Sequence, residues 1–295
     1  MLLRRLMLLC IVVLFPAALP AAVVDGLQPP AWLERGGIRQ PLRVGMEIAE
    51  FDTVETGKGA RLLLRLADGS LVKLGENAQI NLGKLQEGGA DGTLRGLISV
   101  ARGAFRYTAG TLGRFLRRDI EVRLVSTTLG IRGTDVWGRS QDGGATVCLI
   151  EGRVSLNHPS RGDFVLDQPL SFFIAPAKGE PKPVGPVDPE KLKQWTAETD
   201  LDAGKGVMRP GGGWIVQLGA NTNEAEARQI EKRLEDAGIP VERTTVQLKD
   251  RRYIRLRVSG FETKLDAKTF AAGIITLGNM PAPWVTCNIP GNSCQ

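Results

Sequence analysis

Trp214-Ile215-Val216-Gln217-Leu218-Gly219 alternates as a half-buried strand does, with Gln217 on the face opposite Val216 and Leu218. A helix follows over about 223–237. Asn223 caps it, Glu226 completes a capping-box-like start, and Gly238 supplies a left-handed stop. Ile230 and Leu234 lie four apart on its apolar stripe, while Glu224, Glu231, Lys232 and Glu235 fall on the solvated side. Val241–Leu248 and Tyr253–Val258 flank the polar turn Lys249-Asp250-Arg251 and read as a hairpin. A second helix starts near Thr263, where Asp266 repeats the cap spacing, and runs to Gly278; Trp284–Asn288 gives a last strand. The order β-α-β-β-α-β predicts an α+β, ferredoxin-like unit over 214–289.

Such a sheet carries its helices on one face and leaves the other open. Alternation puts Ile254, Leu256 and Val258 beneath the helices, and Tyr253, Arg255 and Arg257 on the open side beside Ile215 and Gln217. In the last strand Val285 and Cys287 face in, and Trp284 and Thr286 face out. Gln, Tyr, Trp and Arg on one surface suit a sugar. Aromatic rings give low-entropy contact to pyranose C–H faces, while amides and guanidiniums bond hydroxyls and carboxylates. The plainer reading is a solvated sheet whose Arg stems cover apolar surface. Alternation alone leaves the two readings level.

Trp214 to Ala220 (Trp-Ile-Val-Gln-Leu-Gly-Ala), the helix ending Leu234-Glu-Asp-Ala-Gly238, and Tyr253-Ile-Arg-Leu-Arg-Val-Ser-Gly-Phe261 resemble the SPOR family. That family's motif runs aromatic-x-Val-Gln-Leu-Gly, a helix with Leu-x-x-x-Gly, then Tyr-Arg-Val-x-Val-Gly-x-Phe. The resemblance spans the whole unit. It implies binding to peptidoglycan glycan strands stripped of stem peptides, which are enriched where bacteria divide. It places Gln217 at the family's sheet-face Gln, and Tyr253 and Arg255 on its Tyr-x-Arg strand. Trp284 joins them, by alternation, as a glycan-binding candidate. Ala220 stands where many members carry Phe or Ser, which implies a missing contact and reduced affinity.

From Gln28 to about Ala175 the chain shows short Val-, Leu- and Ile-rich runs punctuated by glycines, with no persuasive helix. Arg61–Leu66, Leu71–Leu74, Glu121–Val125, Thr146–Ile150 and Phe164–Leu166 are the clearest strands, with turns at Ala67-Asp68-Gly69-Ser70 and Glu151-Gly152-Arg153. This predicts an all-β domain: a sandwich, a barrel or a short solenoid. Gly45–Gly57, Leu66–Leu74, Thr127-Thr-Leu-Gly-Ile-Arg-Gly-Thr134 and Val147–Val154 resemble the FecR domain of bacterial periplasmic proteins. The resemblance implies an all-β fold over 28–175, a twisted sandwich or short β-solenoid, acting as a scaffold or partner-binding module with no activity attached. FecR regulators that relay iron-uptake signals carry a cytoplasmic helical head and a membrane span ahead of this domain. Neither pattern is read here, so the expectation is the exported, stand-alone use. Arg132-Gly133-Thr134-Asp135 reads as turn chemistry, with Asp135 bonding backbone amides; Asp68 and Asp142 precede glycines and read as turn residues.

Residues 1–22 read as a secretory signal: Arg4 and Arg5, an apolar run Leu6–Phe15, then small residues to Ala22. The run is shorter than the ~20 residues of a membrane span, so no stable span is expected after cleavage near Ala21 or Ala22. The expected location is the periplasm, at the septum. The 38 Lys and Arg, less Arg4 and Arg5, leave 36 bases against 32 acids, so the net charge falls from +6 to +4. The charges are interleaved without a basic block, which argues against nucleic acid as partner. Cys148 sits in an apolar run and reads as a buried hydrophobe. Cys287 and Cys294 flank a turn-rich loop and can pair in an oxidising compartment.

Residues 176–213 hold Pro176, Pro181, Pro183, Pro186, Pro189 and Pro210, then Gly211-Gly212-Gly213. They read as a linker, with a short helix over 189–199 packing Leu192 and Trp195 on the first domain. Domains joined this way move independently unless they share a buried interface. The single histidine, His158, reads as a solvated loop residue. With no second His, no base beside a nucleophile and no phosphate loop, neither catalysis nor a metal or other cofactor is expected. The chain therefore reads as a multidomain, non-catalytic envelope protein. Its expected partners are peptidoglycan glycan strands and an envelope protein docked on the FecR-like domain. The alternative is a protein–protein adaptor or regulator whose second sheet docks a protein.

Overall fold

The apolar runs expected as strands at 61–66, 71–74, 146–150 and 164–166 are strands, and Asp135–Gln141 is one that the sequence reading did not pick out. Arg61–Leu66 and Leu71–Leu74 pair antiparallel across Asp68-Gly69, and Asp135–Gln141 and Gly144–Glu151 pair across Asp142-Gly143. Asp142 and Gly143 both have positive φ, 50° and 79°, which matches the twist of the flanking strands. The expected strand at 121–125 starts earlier, as Arg117–Arg123. The computed structural model describes residues 20–87, 93–110, 117–275 and 282–287. The expected signal segment up to residue 19, the end of the second helix at Gly278, and the tail with Cys294 lie outside them.

The strands of the first domain build two sheets that share Thr93–Thr108. Its first part pairs antiparallel with Gln79–Glu87 and parallel with Arg117–Arg123. Its last part pairs with Leu71–Leu74 and Asp135–Gln141 in the other sheet. Gly103 lies at the crossing point with φ +86°, and a Cβ there would fall 2.4 Å from the Ala78 Cα. Only glycine lets the strand change sheets at this position. Leu62, Leu64, Phe105 and Val136 of one sheet meet Leu33, Ile80, Val100 and Ile120 of the other in a single buried cluster.

Several local expectations need correction. The β structure begins at Ala22, ahead of the expected boundary at residue 28, because Ala22–Gln28 pairs with Arg61–Leu66 through a bulge at Asp25 that masks its alternation. Asp135 serves the Arg106 guanidinium, which donates to both its oxygens at 2.8 and 2.7 Å, rather than backbone amides. Asp68 does accept the Ser70 N–H in its turn, but it also takes Arg118 Nε at 2.6 Å and the Ser70 hydroxyl. His158 is 9% exposed, edge-on to Phe173 at 5.9 Å, and not solvated. It falls on the buried side of the strand Val154–His158, with Val154 and Leu156.

The segment between the domains is built into the fold. Asp188 caps the helix Pro189–Ala197 by accepting the Glu190 and Lys191 N–H groups. The helix lays Trp195 flat on Trp137 of the first domain, centroids 4.7 Å apart and planes 2° apart, with Leu192 packed alongside. Beyond it, Lys73 pairs with Asp200, and Leu27 and Met208 exchange backbone hydrogen bonds of 3.0 and 2.7 Å. Met208 also bridges to Phe261 of the second domain, so one residue stitches both. Trp32 lies against Gly238, where a Cβ would fall 2.7 Å from the ring; the glycine that stops the helix also admits the indole. The two domains share a buried interface, and the condition for independent motion is not met.

The second domain follows the expected chain order. Trp214–Asn221, the helix Glu224–Asp236, Glu242–Leu248, Arg251–Phe261, the helix Lys264–Ile274 and Trp284–Cys287 succeed one another. Asn223 caps the first helix, and Thr263 accepts the Asp266 N–H at the second. The sheet runs, across its width, Glu242–Leu248, Arg251–Phe261, Trp214–Asn221, Trp284–Cys287, with every pairing antiparallel. Both helices bury their apolar residues, Ala227, Leu234, Ala267, Ala271 and Ile274, with Val216, Leu218, Ile254, Leu256 and Val258.

Candidate functional site

Strand parity fixes which side chains reach the helix-free face. Ile254, Leu256 and Val258 are buried under the helices, so Tyr253, Arg255 and Arg257 alternate onto the other side. Register then carries that face across the sheet. Glu242 pairs with Arg257, Arg257 with Gln217, and Gln217 with Trp284, giving one transverse row. Thr244, Arg255 and Ala220 form the next row, and Val246 and Tyr253 the one after. Trp284 therefore lies about 10 Å across two strand spacings from the strand of Arg255, and about 7 Å along it.

The row differs in what it has left to offer. Gln217 is 7% exposed, and its Nε2 donates to Gly219 O at 2.9 Å and Leu256 O at 3.0 Å. The register shifts between Gln217 and Gly219, and the amide fills the ladder position that the bulge leaves open. Alternation placed Gln217 on this side but could not show that both amide protons are used within the protein. Arg257 is likewise committed, its Nε to Glu242 Oε2 at 2.9 Å, while Glu242 Oε1 accepts the Ser259 hydroxyl. Arg255 and Tyr253, both half-buried, have no hydrogen-bond or ion-pair partner among the described residues, and Trp284 is 52% exposed. Ala220 pairs with Arg255 and is exposed, leaving space beside the guanidinium.

The face thus divides into a supporting half, Gln217 with Arg257 and Glu242, and an available half of one phenol, one guanidinium and one indole. Such a surface can stack on apolar ring faces and donate hydrogen bonds to hydroxyl or carboxylate oxygens. Sequence reasoning missed Glu242 and Ser259. The signal was present in the hairpin register, which sets Glu242 opposite Arg257.

Cys287 ends the last strand and is disulfide-bonded; its expected partner, Cys294, lies outside the described residues. Cys148 is free and buried, as its apolar run predicts. No group of metal-ligating side chains is found among the described residues, nor a helix long and apolar enough to cross a membrane.

No curated protein matches the chain. Two crystal structures of an anti-sigma factor candidate from Parabacteroides distasonis are similar to it. One is 17% identical, covering 49% of this chain and 64% of its own, with a TM-score of 0.39. The other is 14% identical, covering 75% and 89%, with the same TM-score of 0.39. The chain thus spans a little under two-thirds of the first of these, 64%. Two family models match separate stretches, FecR protein over residues 52–155 and SPOR domain over residues 210–286. The chain carries a FecR domain followed by a SPOR domain.

Proposed function

We propose that this is a non-catalytic protein of the bacterial periplasm that binds peptidoglycan through the open sheet face of its SPOR domain. The ligand is the glycan strand stripped of stem peptides, as found at the division septum, and the FecR-like domain acts as scaffold or partner-binding module. The SPOR unit is ferredoxin-like in this reading, export depends on residues 1–22, and Cys287 pairs with Cys294. The observation that carries the reading is the available half of the face. In a domain of SPOR type, Tyr253, Arg255 and Trp284 stand on the helix-free side with their polar groups unspent. A bare glycan offers the C–H faces and hydroxyls that these groups bind.

Purified full-length protein incubated with sacculi, untreated or stripped of peptides by an amidase, tests the proposal. Retention should rise after stripping and fall in the Tyr253→Ala/Trp284→Ala double variant. Equal retention on both preparations, or none, defeats it.

A second reading rests on the sheet order. Glu242–Leu248 is an outer strand, so one side of its backbone is open to strand addition by a protein partner. The double variant discriminates, since it removes the aromatic surface and leaves that edge intact. Loss of septal enrichment favours the glycan; retained enrichment favours the protein partner.

A further inference from the structure

Gly103, where the long strand leaves one sheet for the other, lines a cleft of about 500 Å³. That volume lies in the roughly 300–1,000 Å³ range of small-molecule sites. Arg61, Arg102 and Arg139 line it with Glu76, Asp142 and Glu198, so the cleft is charged and balanced in sign. Its charges are unequally occupied. Arg139 is paired with Glu198, and Glu76 accepts the Gly59 N–H at 2.7 Å. Arg102 touches Glu55 at 3.4 Å, a carboxylate already held by Arg39 at 2.7 Å. Arg61 has no carboxylate partner among the described residues. One Nη donates to the adjacent Ala60 carbonyl at 2.8 Å, and its Nε is buried without an acceptor. That nitrogen has no surface in the cleft, so a ligand there meets the guanidinium through its Nη groups. On the opposite sign, Asp142 carries no ion-pair partner among the described residues.

We propose that this cleft binds a small zwitterion, an amino acid or short peptide. The carboxylate sits on the Arg61 fork with Arg102 beside it, and the ammonium faces Asp142. A planar carboxylate matches the paired N–H groups of a guanidinium. A phosphate dianion would set its second charge against Asp142 and Glu76. The site shares no lining residue with the SPOR sheet and does not depend on the glycan reading.

The test titrates the full chain with alanyl-alanine, followed by calorimetry or NMR shifts. N-acetyl-alanyl-alanine amide and inorganic phosphate are the comparison probes. Saturable dipeptide binding in about the millimolar range is expected, weakened about tenfold or more by blocking the dipeptide's termini or by Arg61→Gln. Arg102→Gln serves as a second variant should Arg61→Gln unfold. Both should keep the wild-type circular dichroism and sacculus retention. No saturable binding of the dipeptide overturns the proposal, and so does wild-type affinity in both variants. Phosphate binding in the dipeptide's stead, an adventitious ion only, overturns it as well.

Discussion

Both protons of the Gln217 amide go to main-chain carbonyls, so truncating it leaves Gly219 O and Leu256 O without those donors in a nearly closed site. Gln217→Ala should cost about 1–3 kcal/mol in urea unfolding, whereas Tyr253→Ala should stay within about 0.5 kcal/mol. Equal losses would place Tyr253 in the core as well. The side on which Gln217 lies was legible from alternation; its bonding was not, because a bulge has no short-range signature in these residues. The same limit hid the partners of Asp135 and the burial of His158, which depend on strands far away in sequence. Two other buried groups set an alkaline limit. Burial pushes the Tyr107 phenol up to about 12 from 10.0, only partly offset by its bond to Ser70. Burial, with Asp135 adding to it, pushes the Cys148 thiol up to about 12 from 9.0. Both shifts favour the neutral form in the fold, so the stability they contribute is complete below about pH 9 and is lost as the pH rises towards about 12. Unfolding free energy measured from pH 8 upward should decline across that window, and Tyr107→Phe should flatten the decline above about pH 10.

The helix Pro189–Ala197 is too short to hold itself together in water, being below the ~12 residues at which isolated helices become marginal. Its stability comes from Trp195, stacked on Trp137 and met edge-on by Phe172 at 5.8 Å, with Lys191 over both Trp195 and Phe172. Trp195→Ala should therefore cost about 3 kcal/mol and release the segment. Limited proteolysis would then cut between 178 and 198, where the wild type resists; unchanged resistance would show that the stack is not what holds the helix. This helix was legible because Pro189 and the apolar spacing of Leu192 and Trp195 are local signals. So were the capped helices of the second domain, the hairpin at Asp68-Gly69 and the turn at Asp142-Gly143. What local signals do not encode is pairing between distant strands. Nothing in Thr93–Thr108 announces that one end joins Arg117–Arg123 in parallel and the other joins Asp135–Gln141. The choice among sandwich, barrel and solenoid stayed open in the sequence for that reason.

Prolines and three successive glycines suggest a loose joint, yet the chain between the domains is held by residues that arrive from far along the sequence. Asp266 was legible as a helix cap, and it does cap. Its carboxylate is also fully buried, and Oδ1 accepts the N–H groups of Gly204, Gly206 and Val207 at 2.8, 3.0 and 2.9 Å while Oδ2 takes the Thr263 hydroxyl. These amides lead directly to Met208, the residue stitched between Leu27 and Phe261. Gly212 presses on Gly260 so closely that a Cβ would fall 2.1 Å from its oxygen, which leaves the glycine run packed rather than free. If the FecR and SPOR domains are coupled through this strap, calorimetry of the wild type should give one transition. Asp266→Ala strands two buried amides and one partly buried one at a cost of more than about 3 kcal/mol, and should split the transition and open the chain near residue 205 to protease. Asp266→Asn keeps an oxygen where Oδ1 stands and should fall between the two. Two transitions in the wild type would mean that the shared interface contributes too little to make the domains unfold together. The SPOR face would then be presented on a tether, and its orientation relative to the FecR domain would no longer be fixed.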